Sequence, residues 1–356
     1  MTDRLAPGAR IGILGGGQLG RMLSVAASRL GFQCHIYEPG AEPPAGHVAA
    51  QVTTASYEDA AALAAFARSV DVITYEFENV PADALDALEA ICPIRPGRKA
   101  LETSQDRLVE KEFLQGLGLK TAPFQAVETQ ADLEAAVQTI GVPSILKTRR
   151  FGYDGKGQIR LSEGSDLAEA IADLQGAPAI LEGFVNFSHE VSVIAARGLD
   201  GSVAAFDPGE NVHEGGILRT TTVPAKLAAG QRMDAVLLAS NILNALDYVG
   251  VLGVELFVTP TGLIVNEIAP RVHNSGHWTQ AGCAVDQFEQ HIRAIAGWPL
   301  GDGQRHADVV MENLIGDDMD RVPDLALARN TELHLYGKAD VKAGRKMGHV
   351  NRIVRG

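Results

Sequence analysis

Glu255 and Glu267 each interrupt an apolar run, within the stretch VLGVELFVTPTGLIVNEIAP, which reads as the two arms of a β-hairpin. A charge among near-continuous apolar residues is costly to bury unless it is paired or holds a metal. If the turn is the three-residue Pro260-Thr261-Gly262, with Gly262 in the left-handed conformation, Glu255 falls opposite Glu267 on one face. Two facing carboxylates repel each other, and a divalent cation removes the repulsion. Mg²⁺ held by one or two carboxylates together with phosphate oxygens is the usual arrangement in nucleoside triphosphate chemistry. Regular pleating turns Asn266 to the other face, so a role for it requires a bulge. The competing reading is an isolated surface strand with two unrelated acids, which the apolar neighbours disfavour.

The run RRFGYDGKGQ suits the same chemistry: Gly152, Gly155 and Gly157 alternate with Tyr153, Asp154 and Lys156 between two strand-like segments. Glycine at this density lets backbone amides close over phosphates, and such a hairpin can act as a lid. A solvent-exposed turn would look the same if it stood alone, but Lys147 lies on the preceding apolar strand SILKTRR, where a lysine needs an anionic partner. Directly beyond the hairpin, RVHNSGHWT gathers Arg271, His273, Asn274 and His277, donors suited to a small oxyanion such as bicarbonate. Near the C-terminus, Lys338, Lys342, Arg345, Lys346, Arg352 and Arg355 form a basic cluster that fits either a sugar phosphate or a solvated face. At the other end, GGGQLG places Gly15, Gly17 and Gly20 in the G-x-G-x-x-G pattern, with Glu38 ending the next strand-like run. That pattern fits a dinucleotide turn, and equally any anion met by helix N-terminal amides. We read it as a phosphate-facing turn, because the rest of the chain already offers a triphosphate site.

The elements that must hold these residues change texture along the chain. Residues 10 to about 95 alternate short apolar runs with Ala-rich amphipathic segments, as βαβ units on a parallel sheet do. SQDRLVEKEFLQGLGL reads as a helix with Ser104 as N-cap, closed by Gly116 and Gly118. Mixed strands and helices follow, including helices near 164–175, 227–246 and 285–296, and the tail from DVVMENLIG onward is β-rich with a basic hairpin. The expected division is 1–100, a Rossmann-like parallel-sheet domain; 101–295, a central domain with a lid at about 120–182; and 296–356, a small C-terminal β-rich module.

Composition narrows the partners. With 31 Lys+Arg against 44 Asp+Glu, a formal charge of -13 makes nucleic acid and anionic lipid surfaces poor partners, so phosphates must be met by local cations or amides. Cys34, Cys92 and Cys283 are dispersed without CxxC spacing, as core residues of a reducing compartment would be, and no apolar stretch approaches the ~20 residues that span a bilayer. These features lead us to expect a cytoplasmic chain.

In order, GGGQLGRM, TYEFENVP, KTRRFGYDGKGQ, LEGFV, GVELFV and NEIAPRVHNSGHWT run along essentially the whole chain, which resembles the ATP-grasp ligases and, among them, the purine-pathway branch that carboxylates 5-aminoimidazole ribonucleotide. The resemblance implies an ATP-grasp fold of combined α/β and α+β character, ATP as co-substrate, bicarbonate as carbon source, Mg²⁺ as cofactor and a homodimer. It places Arg107, Lys147, Gly152, Tyr153, Asp154, Gly155, Lys156, Gly157, Gln158, Glu182, Gly183, Phe184, Val185, Glu190, His213, Asn266 and Glu267 around ATP. Within that set Lys147 would contact phosphate, Glu182 to Val185 adenine and Glu190 the ribose, with Glu255 and Glu267 on Mg²⁺. Gly17, Gln18, Leu19, Glu76, Tyr153, Arg271, His273, Asn274, Lys338 and Arg345 would hold the ribonucleotide. Arg271, His273, Asn274 and Asp154 are the candidate catalytic residues, Asp154 as orienter of the amine. Two rivals are a formate-dependent ligase sharing the ATP site and an NAD-dependent oxidoreductase built on Gly15, Gly17 and Gly20.

Overall fold

A computed structural model describes residues 4–152 and 157–354. The first region forms the expected parallel sheet, in the order Gln51–Thr53, Gln33–Tyr37, Arg10–Leu14, Val72–Tyr75. Arg10–Leu14 buries every residue after Arg10, as a central parallel strand covered on both faces must. The helix Gln18–Arg29 starts directly after it and buries Leu19, Met22, Leu23, Ala26 and Ala27, a stripe at helical spacing.

A second sheet, antiparallel, holds Phe124–Val127, Ala179–Gly183, Ser144–Thr148 and Gln158–Leu161 in that order. Its core joins Leu146, Leu161 and Leu181 to Leu133 and Ala136 of the helix Gln130–Ile140, which opens with a Thr129/Asp132 capping box.

The third sheet has nine strands and runs from Gly262–Ala269 at one edge through Gly250–Thr259, His189–Arg197, Gly209–Glu214, Ile217–Val223, Asp308–Ile315 and Lys346–Val354 to Thr331–Leu335, with Val203–Ala205 paired to His189–Arg197. The C-terminal strands therefore extend the central sheet through the pairing of Ile217–Val223 with Asp308–Ile315. One apolar core links Ile11 and Leu23 of the first region to Trp278, Phe288 and Ile292, and to Val309 and Tyr336 near the C-terminus. Each fully buried side chain of this kind contributes on the order of 1.5–3 kcal/mol, so the parts hold together as one body.

Two local expectations need correction. Ser104 is the last residue of the helix Arg98–Ser104, and the following helix, Arg107–Gly116, is capped by Asp106, whose carboxylate accepts from the amides of Leu108 and Val109. Asp106 wins because Arg149 clamps it in a bidentate pair, at 3.0 and 2.7 Å, and holds it at the cap. The hairpin turn is shorter than expected: Thr259 pairs with Gly262, leaving the two-residue loop Pro260-Thr261. The three cysteines are free and buried.

Candidate active site

The shorter turn would, with regular pairing, set Glu255 opposite Asn266. A bulge between Glu255 and Leu256 restores the expected partners instead, so that Leu256 pairs with Val265 and Glu255 with Glu267, and Asn266 is the extra residue. Asn266 thereby joins the wall of the cavity that both glutamates line. The pairing was legible in the sequence, but the irregularity that produces it sits at the site and not at the turn.

The cavity has a volume of about 660 Å³. The central sheet contributes Glu190, His213, Glu255, Asn266 and Glu267, the lid Lys147, Gly152 and Gln158, and the first region Gly17, Gln18, Leu19 and Glu76. Arg107 enters from its helix, and Arg271, His273 and Asn274 from the segment after the hairpin. Tyr153, Asp154, Gly155 and Lys156 lie outside the described residues, as does Arg355. Gly157 takes φ +70°, and a Cβ there would lie 2.6 Å from Thr148 Oγ1, so the end of the glycine-rich run requires glycine.

Burial and the facing Glu267 push the Glu255 carboxyl up to about 7. Burial acts the same way on Glu267, but Arg107, Lys147 and Lys111 outweigh it and hold Glu267 below the ordinary carboxylate value. Arg107 Nη1 sits 3.1 Å from Glu267 Oε2. The pair thus keeps one stable negative charge and one that ionises only at some cost, the condition a divalent cation relieves. Glu190, His213 and Glu255 also bring one ligand atom each within 4.8 Å of one another, so Glu255 has oxygen and nitrogen donors on its other side. The donor set fits a hard dication at Glu255 and Glu267, with His213 at its margin.

Lys147 finds its anionic partner in Glu182, at 2.9 Å, and Lys111 approaches the same oxygen at 3.6 Å. Burial would raise Glu182, but the two lysines lower it. Glu182, Gly183, Phe184 and Val185 are not brought to the cavity wall: the amide of Gly183 donates to the Pro123 carbonyl and that of Phe184 to the Pro143 carbonyl, tying both into the lid.

Arg271 is ion-paired to Glu78 at 2.5 Å, and His273 is held neutral, its charged form disfavoured by burial and then by Arg271 and Lys346. His273 Nδ1 meets Ser275 Oγ at 2.8 Å, while Nε2 faces Glu255 at 3.4 Å. Both polar atoms of the Asn274 side chain are buried without a hydrogen-bond partner among the described residues, at a position lining the cavity. Such an amide is placed to hydrogen-bond a group bound in the cavity.

The glycine turn departs from expectation. Its amides serve the protein's own carboxylates: Gly17 donates to Glu76 Oε1, Gly20 to Glu76 Oε2 at 2.7 Å, and Gly16 to Glu38 Oε2 at 2.8 Å. A Cβ on Gly15 or Gly17 would lie 2.6 or 2.5 Å from Glu76, so these glycines make room for Glu76. The positive end of the helix is neutralised from within, which leaves no slot for a pyrophosphate and counts against a dinucleotide. Lys338 and Arg345 line a neighbouring cavity of about 390 Å³ that shares Gly17 with the first.

Sequence reasoning missed Glu110 and Lys111. Both are buried, and burial pushes the Glu110 carboxyl up to about 8 and lowers Lys111. Charges at adjacent helix positions look like a solvated face, and only the pairing partners identify them as internal.

Residues 9–105 match a ribonucleotide synthetase preATP-grasp domain model, residues 112–288 an ATP-grasp domain model, and residues 309–355 a phosphoribosylaminoimidazole carboxylase C-terminal domain model. The N5-carboxyaminoimidazole ribonucleotide synthase of Brucella melitensis is 56% identical over 352 residues, covering 98% of this chain and 97% of its own length. The Staphylococcus aureus N5-carboxyaminoimidazole synthetase, solved with ADP, superposes with a TM-score of 0.95 at 37% identity over 99% of this chain and 95% of that one. The Aspergillus clavatus synthase, solved with ADP and 5-aminoimidazole ribonucleotide, gives 0.91 at 31% identity, covering 98% and 94%.

Proposed function

Because the chain belongs to the ATP-grasp family of N5-carboxyaminoimidazole ribonucleotide synthases, we propose that it carboxylates the exocyclic amine of 5-aminoimidazole ribonucleotide, using ATP and bicarbonate and releasing ADP and phosphate. It is an ATP-grasp ligase of purine biosynthesis. The observation that carries the reading is the single cavity in which the facing glutamates, Lys147, the Arg271–Asn274 segment and the Gly17–Leu19 turn share one wall.

In this reading a bicarbonate oxygen attacks the γ-phosphorus, the bond to the ADP oxygen breaks, and carboxyphosphate forms. The substrate amine then takes the carboxyl group, phosphate leaves and the amine loses a proton. Lys147 and Arg107 meet the triphosphate, and the 2.9 Å contact to Glu182 holds Lys147 extended until it does. Glu255 and Glu267 would hold Mg²⁺, which when bound would supply positive charge against the phosphates. Arg271, fixed by Glu78, offers a permanent cation to the moving carboxylate, and neutral His273 and the open Asn274 amide orient it. Carboxyphosphate does not survive in water, so the reaction needs a site that excludes it; in this reading Tyr153 and Asp154 serve the ribonucleotide, Asp154 by orienting its amine. Glu76 and the glycine turn face the ribonucleotide, and Lys338 and Arg345 in the adjoining cavity meet its phosphate.

We further propose that 1–100 is the Rossmann-like domain, 101–295 the ATP-grasp domain with its lid at about 120–182 and 296–356 the C-terminal β-rich module, and that the enzyme is a cytoplasmic homodimer. Among the described residues no helix is long and apolar enough to cross a membrane. A light-scattering mass equal to one 37.7 kDa chain would overturn the dimer. For the activity, phosphate release is measured with ATP, bicarbonate and aminoimidazole ribonucleotide, omitting each in turn. Full release requires all three, whereas release supported by formate in place of bicarbonate contradicts the assignment. Arg271→Ala is expected to lower carboxylation about 100-fold, with ADP affinity changed only a few-fold.

A further inference from the structure

The strand Gly262–Ala269 is the edge of the nine-stranded sheet, and its outer side is met by a single bridge, the Val265 amide donating to the Lys120 carbonyl at 2.8 Å, among the described residues. It is also the strand that carries the bulge at Asn266. The helix Arg107–Gly116 lies against that edge and serves three consecutive residues of it. Lys111 Nζ donates to the Asn266 carbonyl at 2.6 Å, Arg107 Nη1 reaches Glu267 Oε2 at 3.1 Å, and Glu110 Oε1 accepts from the Ile268 amide at 2.6 Å. Glu110 and Lys111 are 2% and 1% exposed, and burying two ionisable groups is unfavourable where apolar side chains would pack as well. What they supply, and apolar residues cannot, is a donor and an acceptor matched to the backbone on either side of Glu267. Lys111 also approaches the Glu182 oxygen that holds Lys147, so one buried cation spans the carboxylate hairpin and the lid.

We propose that Glu110 and Lys111 are positioning residues that pin the bulged edge strand, keep Glu267 facing Glu255, and tie that geometry to Lys147. This rests on the reading of Glu255 and Glu267 as the cation-binding pair. Neither Glu110 nor Lys111 need touch the reacting atoms; they act through the backbone of Asn266 and Ile268.

The test is the Mg²⁺ concentration giving half-maximal phosphate release, together with Mn²⁺ binding to the ADP-loaded enzyme, in Lys111→Met, Lys111→Arg, Glu110→Leu, Glu110→Gln and Glu267→Gln. Displacing partners of this kind around a metal-binding group typically weakens the metal about 10- to 100-fold. Lys111→Met and Glu110→Leu are therefore expected to raise half-saturation at least about 10-fold, with KM for aminoimidazole ribonucleotide within about twofold. Glu110→Gln, whose amide oxygen still accepts from Ile268, stays within about threefold of wild type. Unchanged cation dependence in folded Lys111→Met and Glu110→Leu overturns the proposal. Should those two not fold, Lys111→Arg, which keeps the charge but misplaces the donor, decides: loss of cation affinity supports it and wild-type affinity refutes it. If Glu267→Gln itself leaves Mn²⁺ binding intact, the reading of the carboxylate pair has failed; if only the Glu110 and Lys111 variants are silent, the pair stands and the pinning role falls.

Discussion

The glycine turn after the first strand and the bulged hairpin at Glu255 both bring carboxylates to the same cavity, and they dispose of the charge in opposite ways. At the turn, Glu76 is met by the amides of Gly17 and Gly20, so a negative group and a helix N-terminus cancel within the protein. At the hairpin, Glu255 faces Glu267, and burial together with that neighbour pushes it up to about 7. Glu267 is paired with the Arg107 guanidinium at 3.1 Å. A motif that advertises phosphate binding is therefore already satisfied, while a pair of glutamates in an apolar hairpin is left with unbalanced charge. Residual charge after internal pairing, more than motif shape, marks where a charged ligand must go.

Removing one side of the hairpin pair should have the largest effect. Glu267→Gln is expected to lower turnover about 1,000-fold, the upper range for loss of one preorganised electrostatic group, measured as phosphate release at saturating ATP. A loss below about tenfold would make the two regions alike. At the turn, Glu76→Ala leaves two amides without their acceptor and should cost about 2–4 kcal/mol of stability, read from the urea midpoint, and raise KM for aminoimidazole ribonucleotide while ADP affinity holds. Gain of NADH binding by that variant would show that the turn was a masked dinucleotide site. The smallest effect concerns pH. A cation at Glu255 must displace its proton, so apparent Mg²⁺ affinity should weaken as pH falls below about 7 and level off well above it. An affinity flat from pH 6 to 8 would remove Glu255 from the site.

Much of this was legible in the sequence where physics left one solution. Apolar runs broken by Ala-rich segments gave the parallel sheet, and two acids in apolar strands gave the facing pair. The route to the pair was not legible, because a three-residue turn and a two-residue turn with a bulge at Asn266 produce the same partners. Ser104 and Asp106 are both good caps by residue type, and only the distant Arg149 selects between them. Glu76 filling the turn depends on a contact across 59 residues. Glu110 and Lys111 carry no sequence signal at all, since burial of adjacent helix charges is decided by the strand edge packed against them. Glu190 and His213 entered through family resemblance, and their approach to Glu255 appears only once three neighbouring strands are aligned.

The proposed reaction depends on Glu255 and Glu267 together holding the cation that carries the triphosphate. Paramagnetic titration of Mn²⁺ into the ADP-loaded enzyme tests it most directly, with wild type compared to Glu255→Gln and Glu267→Gln. One tightly bound ion is expected in wild type and its loss in each variant, with ADP still bound. A full-affinity Mn²⁺ site surviving in both variants would contradict it.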